Sequence, residues 1–257
     1  LLARGHGAFA IDVGADLCER LRREAPDVCF NALHGRWGED GTVQGILEIL
    51  RIPYTHSGVL ASALGMHKPT ARRLFVEAGL PVADGKVVSR EAMMAGDPMP
   101  RPYVVKPINE GSSVGVRLVF QGDNFDPAAD LEGLGPEVLV ERYIPGREIH
   151  VAVMGDRALG AVEIRPKGRF YDYEAKYTEG RADHLMPAPL PEDDYQEALR
   201  LALAAHRALG CRGVSRTDLR YDDTGTRPRF YVLEVNTQPG MTPLSLVPEI
   251  AAYHGIS

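Results

Sequence analysis

The run Tyr231-Val232-Leu233-Glu234-Val235-Asn236-Thr237-Gln238-Pro239-Gly240-Met241-Thr242 begins as an apolar strand, carries a carboxylate and an amide two residues apart, and breaks into a loop. Residues two apart on a strand face the same side. Glu234 and Asn236 therefore point together, as oxygen ligands of a hard cation such as Mg²⁺ must. Upstream, Val214-Ser215-Arg216-Thr217-Asp218-Leu219-Arg220-Tyr221 reads as a second strand, with the turn-forming Asp222-Asp223-Thr224-Gly225 between the two. The pair is an antiparallel hairpin, and simple register sets Asp218 opposite Glu234 and Arg216 opposite Asn236. Directly opposed carboxylates repel, so solvent or a cation belongs between them. A metal site is one reading, and a charged, solvated sheet face is the other.

Working outward, the 257 residues suffice for one large or two modest domains. A hydrophobic content of 44% with 25% charged residues is that of an ordinary soluble enzyme, and a net charge of −6 gives no electrostatic case for nucleic acid. Cys18, Cys29 and Cys211 are widely spaced, which argues against a disulfide framework or a zinc site and for a reducing, cytoplasmic setting. No apolar run approaches the ~20 residues that span a bilayer, and the first residues lack a secretory pattern, so no membrane partner is expected. The opening residues through Gly7 read as the end of a helix, and 250–257 as the beginning of one.

Residues 15–25 have helical periodicity and precede a short buried-strand candidate, Val28-Cys29-Phe30-Asn31-Ala32-Leu33. A glycine-rich loop at 34–41 and a helix at 42–50 follow. Strand, glycine loop and helix form the unit of an α/β sheet whose ligands gather at the carboxyl ends of the strands, where His34 lies. His34 is either a loop anchor or a functional group. The periodicity predicts one helix over 59–78, containing Lys68. A strand ends in Lys106, a glycine- and serine-rich loop spans 108–115, and another strand covers 116–120; such a loop can fold over phosphates through its backbone N–H groups. Further strands are expected at 138–144 and 147–153, and a strong amphipathic helix at 194–209. Glu141 and Glu148 read by themselves as surface charges. The aromatic stretch 170–178 resembles a functional loop more than core.

The segments FNALHGRWGEDG, SGVLASALGMHK, VVKPINEGSSVGV, VLVERYIPGRE, FYDYEAKY, RTDL and LEVNTQPGMT, in this order, resemble the D-alanine–D-alanine ligases of the ATP-grasp superfamily over nearly the whole chain. The resemblance implies an α/β and α+β ATP-grasp fold with an N-terminal α/β domain at 1–57 (incomplete), a central ATP-grasp subdomain at 58–143, and a C-terminal subdomain with the metal and substrate site at 144–257. It implies that Lys68 and Lys106 hold ATP phosphates beneath the loop of Ser112 and Ser113. Glu141 and the backbone near Ile144 would bind adenine, and Glu148 the ribose. Asp218, Glu234 and Asn236 match the ligands of Mg²⁺ or Mn²⁺, two ions in the family. Arg216 and the Gly240 backbone would face the oxyanion, Ser245 and Leu246 would receive the second substrate's carboxylate, and His34 would line the substrate site. Lys176 and Tyr177 lie in a lid-like loop.

The implied reaction phosphorylates the carboxylate of one D-alanine and couples it to the amine of a second, in a cytoplasmic protein with a homodimer among its expected forms. D-Alanine–D-lactate or D-alanine–D-serine ligation, or nucleotide binding without turnover, are the alternatives; Tyr177 favours an amine acceptor. Trp37, His67 and Gln238 depart from the common family pattern. The family also begins with a strand and a glycine loop bearing a glutamate for the first amine, ahead of the first residue here; if residues 1–257 were the entire polypeptide, the expectation would be ATP binding with little dipeptide formed.

Overall fold

The computed structural model describes residues 1–111, 114–166, 182–242 and 245–256. After a 3-10 turn at Leu2–Arg4, helices α1 (Leu17–Glu24) and α2 (Thr42–Leu50) form the N-terminal unit. Leu17 and Leu21, one turn apart, meet Val43 and Leu47 in a small core of their own. The strand expected at 28–33 is a single parallel bridge between Cys29 and Tyr54, and Val28 and Phe30 are exposed. The ladder stops for a local reason. Asn31 N donates to the side-chain Oγ1 of Thr55 (3.1 Å) instead of to a backbone carbonyl, so pairing does not propagate.

The helix expected over 59–78 is two, α3 (Val59–Met66) and α4 (Lys68–Glu77), separated at His67. Pro69 explains the break: it has no N–H and is tolerated only in a helix's first turn. The imidazole of His67 caps α4 by accepting from Thr70 N at 3.3 Å. The break leaves Lys68 at the start of α4, its backbone N bonded to Ile108 O at 3.1 Å.

Four antiparallel strands make the first sheet: β1 (Gly85–Ser89), β2 (Tyr103–Pro107), β3 (Arg117–Val119) and β4 (Glu137–Arg142), in the order β1-β4-β2-β3. Short helices α5 (Arg90–Met94) and α6 (Pro127–Asp130) accompany it. Tyr103, Val105, Val138 and Val140 alternate onto one face and form a core with Met93 and Leu131. The other face, with Val104, Lys106 and Leu118, looks onto a cavity.

The second sheet comprises β5 (Arg147–Met154), β6 (Arg157–Pro166), β7 (Ala182–Leu185), β8 (Val214–Asp222) and β9 (Arg229–Asn236), all antiparallel in the order β7-β6-β5-β8-β9. Helix α7 (Glu192–Ala208) covers one face. Its Ala198, Leu201, Ala202 and Ala205 recur at helical spacing toward Ile149, Val151, Leu219 and Val232. Acidic residues fill its first turn and His206 and Arg207 its last, matching the helix dipole. Helix α8 (Leu246–Tyr253) packs on the opposite face against Ala152, Val162 and Ile164. It begins four residues before the helix expected from the sequence, because Pro248 sits in its first turn, where the missing N–H is harmless. Between the sheets, Gly146 has φ +93, and a Cβ there would strike the Tyr221 carbonyl. Only glycine allows that approach. Among the described residues, no helix is long and apolar enough to cross a membrane.

Candidate functional site

Between the two sheets lies a cavity of about 460 Å³, within the range of roughly 300–1,000 Å³ usual for small-molecule sites. Strand alternation decides its lining. Val104 and Lys106 of β2 face it while Tyr103 and Val105 face the core. Val104, Leu118, Ile144 and Leu233 supply apolar walls, suited to a flat base, and Lys68 and Lys106 supply cations. Lys106 Nζ lies 2.6 Å from Glu141 Oε2, and Arg72 Nε lies 3.4 Å from Oε1. Burial works against the Lys106 charge, but Glu141, with smaller help from Glu234 and Glu148, raises its pKa. Lys68, bonded to the Glu110 carbonyl, is lowered: burial outweighs the attraction of Glu234.

The hairpin register is the expected one, Asp218 opposite Glu234 and Arg216 opposite Asn236. A bulge after Asp218 turns both Leu233 and Glu234 to the cavity side, a device common beside ligand sites. Asp218 is not balanced by solvent. Arg216 Nε and Nη2 donate to its two oxygens at 2.6 and 2.8 Å, and His150 Nδ1 lies 2.8 Å from Oδ1. Burial opposes ionisation of Asp218, yet Arg216 and then His150 hold its carboxyl well below the usual range. The other ring nitrogen of His150 is 3.1 Å from Glu148 Oε1. Despite complete burial, Asp218 and then Glu148 raise the imidazole pKa. Arg220 completes the network, with Nη1 3.4 Å from Glu148 Oε2 and Nε donating to Ile144 O at 3.2 Å.

No three His, Cys, Asp or Glu side chains among the described residues are set to hold an ion by themselves. Asp218, Glu234 and Asn236 are two carboxylates and an amide oxygen, the donor types a hard cation takes, but Asp218 would have to share oxygens that Arg216 and His150 already engage. Glu234 makes no hydrogen bond among the described residues, so both its oxygens are available. Asn236 Oδ1 accepts from Gln238 N at 2.8 Å, which fixes its direction.

A smaller cavity of about 160 Å³ adjoins the first, and Lys68, Glu110 and Glu234 line both. His34, Glu39, Arg216, Asn236, Gly240, Ser245 and Leu246 also line it. His34 Nδ1 is 3.7 Å from Glu39 Oε1. The neighbouring Glu39 carboxylate raises the His34 pKa against the effect of burial. A Cβ on Gly240 would lie 2.6 Å from Ser245 Oγ and 3.6 Å from His34 Cε1. Glycine here lets the backbone reach both sides of the cavity.

Of the residues singled out from the sequence, Lys68, Lys106, Glu141, Ile144, Glu148, Asp218 and Glu234 meet in the larger cavity. His34, Arg216, Asn236, Gly240, Ser245 and Leu246 meet in the smaller. Ser112, Ser113, Lys176 and Tyr177 lie outside the described residues. Sequence reading passed over His150, Arg220 and Glu110. His150 and Arg220 each sit two positions from a chosen residue, Glu148 and Asp218, on the same strand. That period-two signal was available, whereas Glu110 contributes from a loop and had none.

Two sheets enclosing an apolar-walled cavity lined by both cations and carboxylates, with a hairpin of acidic and amide groups at its end, define the ATP-grasp class. Family models described as D-ala D-ala ligase N-terminus and D-ala D-ala ligase C-terminus match residues 13–57 and 74–257. A D-alanine–D-alanine ligase of Paramagnetospirillum magneticum is 62% identical over 95% of this chain and 80% of its own length. That of Parvibaculum lavamentivorans is 58% identical over 100% of this chain and 85% of its own. Among solved structures, the VanG D-Ala:D-Ser ligase of Enterococcus faecalis superposes with TM-score 0.78 at 35% identity, covering 90% of this chain and 69% of that one. A Bacillus anthracis D-alanine–D-alanine ligase complexed with ATP gives TM-score 0.75 at 31% identity, over 93% and 77%. The chain belongs to the D-alanine–D-alanine ligase family.

Proposed function

We propose that the protein joins two D-alanine molecules into D-alanyl-D-alanine for cell-wall synthesis, with conversion of ATP to ADP and phosphate. The observation that carries this reading is the wall of Lys68, Glu110 and Glu234 shared by the nucleotide-sized and amino-acid-sized cavities. A phosphoryl group can pass directly from one cavity to the other there.

In this reading adenine lies against Leu233, Ile144, Leu118 and Val104, Glu141 and the Ile144 backbone meet its edge, and Glu148 meets the ribose. Lys68 and Lys106 hold the phosphates, and by family resemblance Ser112 and Ser113, outside the described residues, would contribute there too. Asp218, Glu234 and Asn236 would hold Mg²⁺ or Mn²⁺, two ions by family resemblance, which when bound offsets phosphate charge. A carboxylate oxygen of the first D-alanine attacks the γ-phosphorus and ADP leaves. The amine nitrogen of the second attacks the acyl carbon, loses its proton, and expels phosphate. Arg216 and the Gly240 N–H face the tetrahedral oxyanion, each such donor contributing about 3 kcal/mol in comparable sites. Ser245 and the first turn of α8 receive the second carboxylate, as helix N-termini favour anions. His34 borders the first D-alanine. Lys176 and Tyr177, outside the described residues, would by family resemblance help to exclude water from the acyl phosphate.

The proposed boundaries, after residues 57 and 143, separate the N-terminal unit and the two halves of the clamp. A cytoplasmic setting and a homodimer belong to this reading by family resemblance alone. ADP release measured with D-alanine, L-alanine, D-serine and D-lactate tests the reading. Turnover that needs D-alanine and is largest with D-alanine alone is expected; release indifferent to D-alanine, or led by D-serine or D-lactate as acceptor, overturns it.

A further inference from the structure

Gln238 follows the proposed metal ligand Asn236 by two residues and precedes Gly240 by two, yet its side chain faces away from both cavities. It is 1% exposed. Its Nε2 lies 2.5 Å from the backbone carbonyl of Asn31 and 3.2 Å from His56 Nδ1, contacts that span 207 and 182 residues of sequence. The carbonyl can only accept, so the amide orientation is set: the NH₂ group donates to Asn31 O. Burial lowers the pKa of His56, and the neutral ring accepts at Nδ1, where Thr55 Oγ1 is also 2.9 Å away.

Asn31 in turn organises the opposite wall of the smaller cavity. Its Nδ2 donates to Gly38 O at 3.1 Å and its Oδ1 accepts from Leu33 N at 3.1 Å. Gly38 O takes a second bond, from Gln44 Nε2 at 2.6 Å. These bonds frame the loop that carries His34 and Glu39. Gln238 therefore ties the loop bearing Asn236 and Gly240 to the loop bearing His34 and Glu39, across a buried polar junction.

We infer that Gln238 is a positioning residue that sets the width of the amino-acid cavity by holding the Gly240 backbone at a fixed distance from His34. The inference rests on the assignment of that cavity to D-alanine. It touches neither substrate nor nucleotide. Losing the tie widens the cavity while leaving the nucleotide cavity, whose lining includes none of these residues, unchanged.

The test compares wild type with Gln238→Met, which keeps the length and volume but cannot donate, and with Gln238→Ser, too short to reach Asn31 O. Two readouts are used. Trp37, the single tryptophan, sits in the loop Asn31 organises, so its fluorescence anisotropy reports the tie without any turnover. The second readout is the split between constants: KM for D-alanine rises about tenfold, because the loop moves to rehydrate the stranded carbonyl and must be drawn back when D-alanine binds, while the calorimetric Kd for a non-hydrolysable ATP analogue stays within twofold. Lower Trp37 anisotropy with that split supports the inference. Unchanged anisotropy in either variant overturns it whether or not the protein turns over D-alanine, and so does a nucleotide Kd that rises in parallel with KM. A wild-type protein without D-alanine-dependent turnover overturns the functional reading instead, and anisotropy still decides the tie.

Discussion

Replacing Lys106 with methionine keeps the side chain's reach and deletes its charge. Glu141 is then left to Arg72, whose Nε stands 3.4 Å away where the lysine stood at 2.6 Å. The Lys106 and Glu141 side chains are 14% and 9% exposed, so water cannot replace the lost partner. Removing one member of a buried pair costs about 3–5 kcal/mol. Because Arg72 remains, the low end applies. At about 3 kcal/mol, and with each kcal/mol shifting Tm by about 2–4 °C in a chain of this size, Tm falls by roughly 6–12 °C. Nucleotide affinity falls as well, by roughly 10- to 100-fold, the worth of one hydrogen bond to a charged group. Scanning calorimetry and titration with a non-hydrolysable ATP analogue measure the two effects. The double variant Lys106→Met/Glu141→Gln removes the stranded charge, so it regains most of the lost Tm but none of the affinity. A single variant that melts with the wild type would refute the energetic argument, and a double variant that recovers nucleotide binding would refute the phosphate role.

Glu234→Gln should lower kcat by about 100-fold or more with Tm nearly unchanged, since the carboxylate has no hydrogen-bonded partner among the described residues; an active variant, or equal turnover in excess EDTA, removes the metal assignment. His34 should titrate above its ordinary value of 6.5. A raised pKa means that its contribution to stability is complete below the ordinary value and fades as pH rises through the folded one. Proton NMR should show that pKa dropping back in Glu39→Gln, and no change there would mean that Glu39 is not its partner. Gly146→Ala, forced to φ +93 against the Tyr221 carbonyl, should lose at least about 2 kcal/mol in urea unfolding; a neutral result would show that the two sheets adjust freely at this joint.

Much of the site was legible because strands report themselves by alternation. The spacing of Glu234 and Asn236, and of Arg216 and Asp218, gave both the hairpin and its register, and period two is a local property that needs no distant partner. The break at Pro69 was legible in principle, but the apolar pattern running through it concealed the junction between α3 and α4. The expected strand at 28–33 failed for the opposite reason: a strand exists only where a neighbour completes its ladder, and Thr55 offers a hydroxyl where a carbonyl was needed.

The sequence by itself determined the local elements of the second sheet, the pairing of the hairpin and, through its motifs, the family. Only the tertiary structure decided how charge is balanced. Asp218 is held ionised by Arg216 and by His150 from the neighbouring strand, Lys106 is paired with Glu141, and Gln238 reaches back across 207 residues to Asn31. The physical reason is range: backbone periodicity is set by residues a few places apart, whereas the ionisation and orientation of a buried polar group depend on which distant segments fold around it.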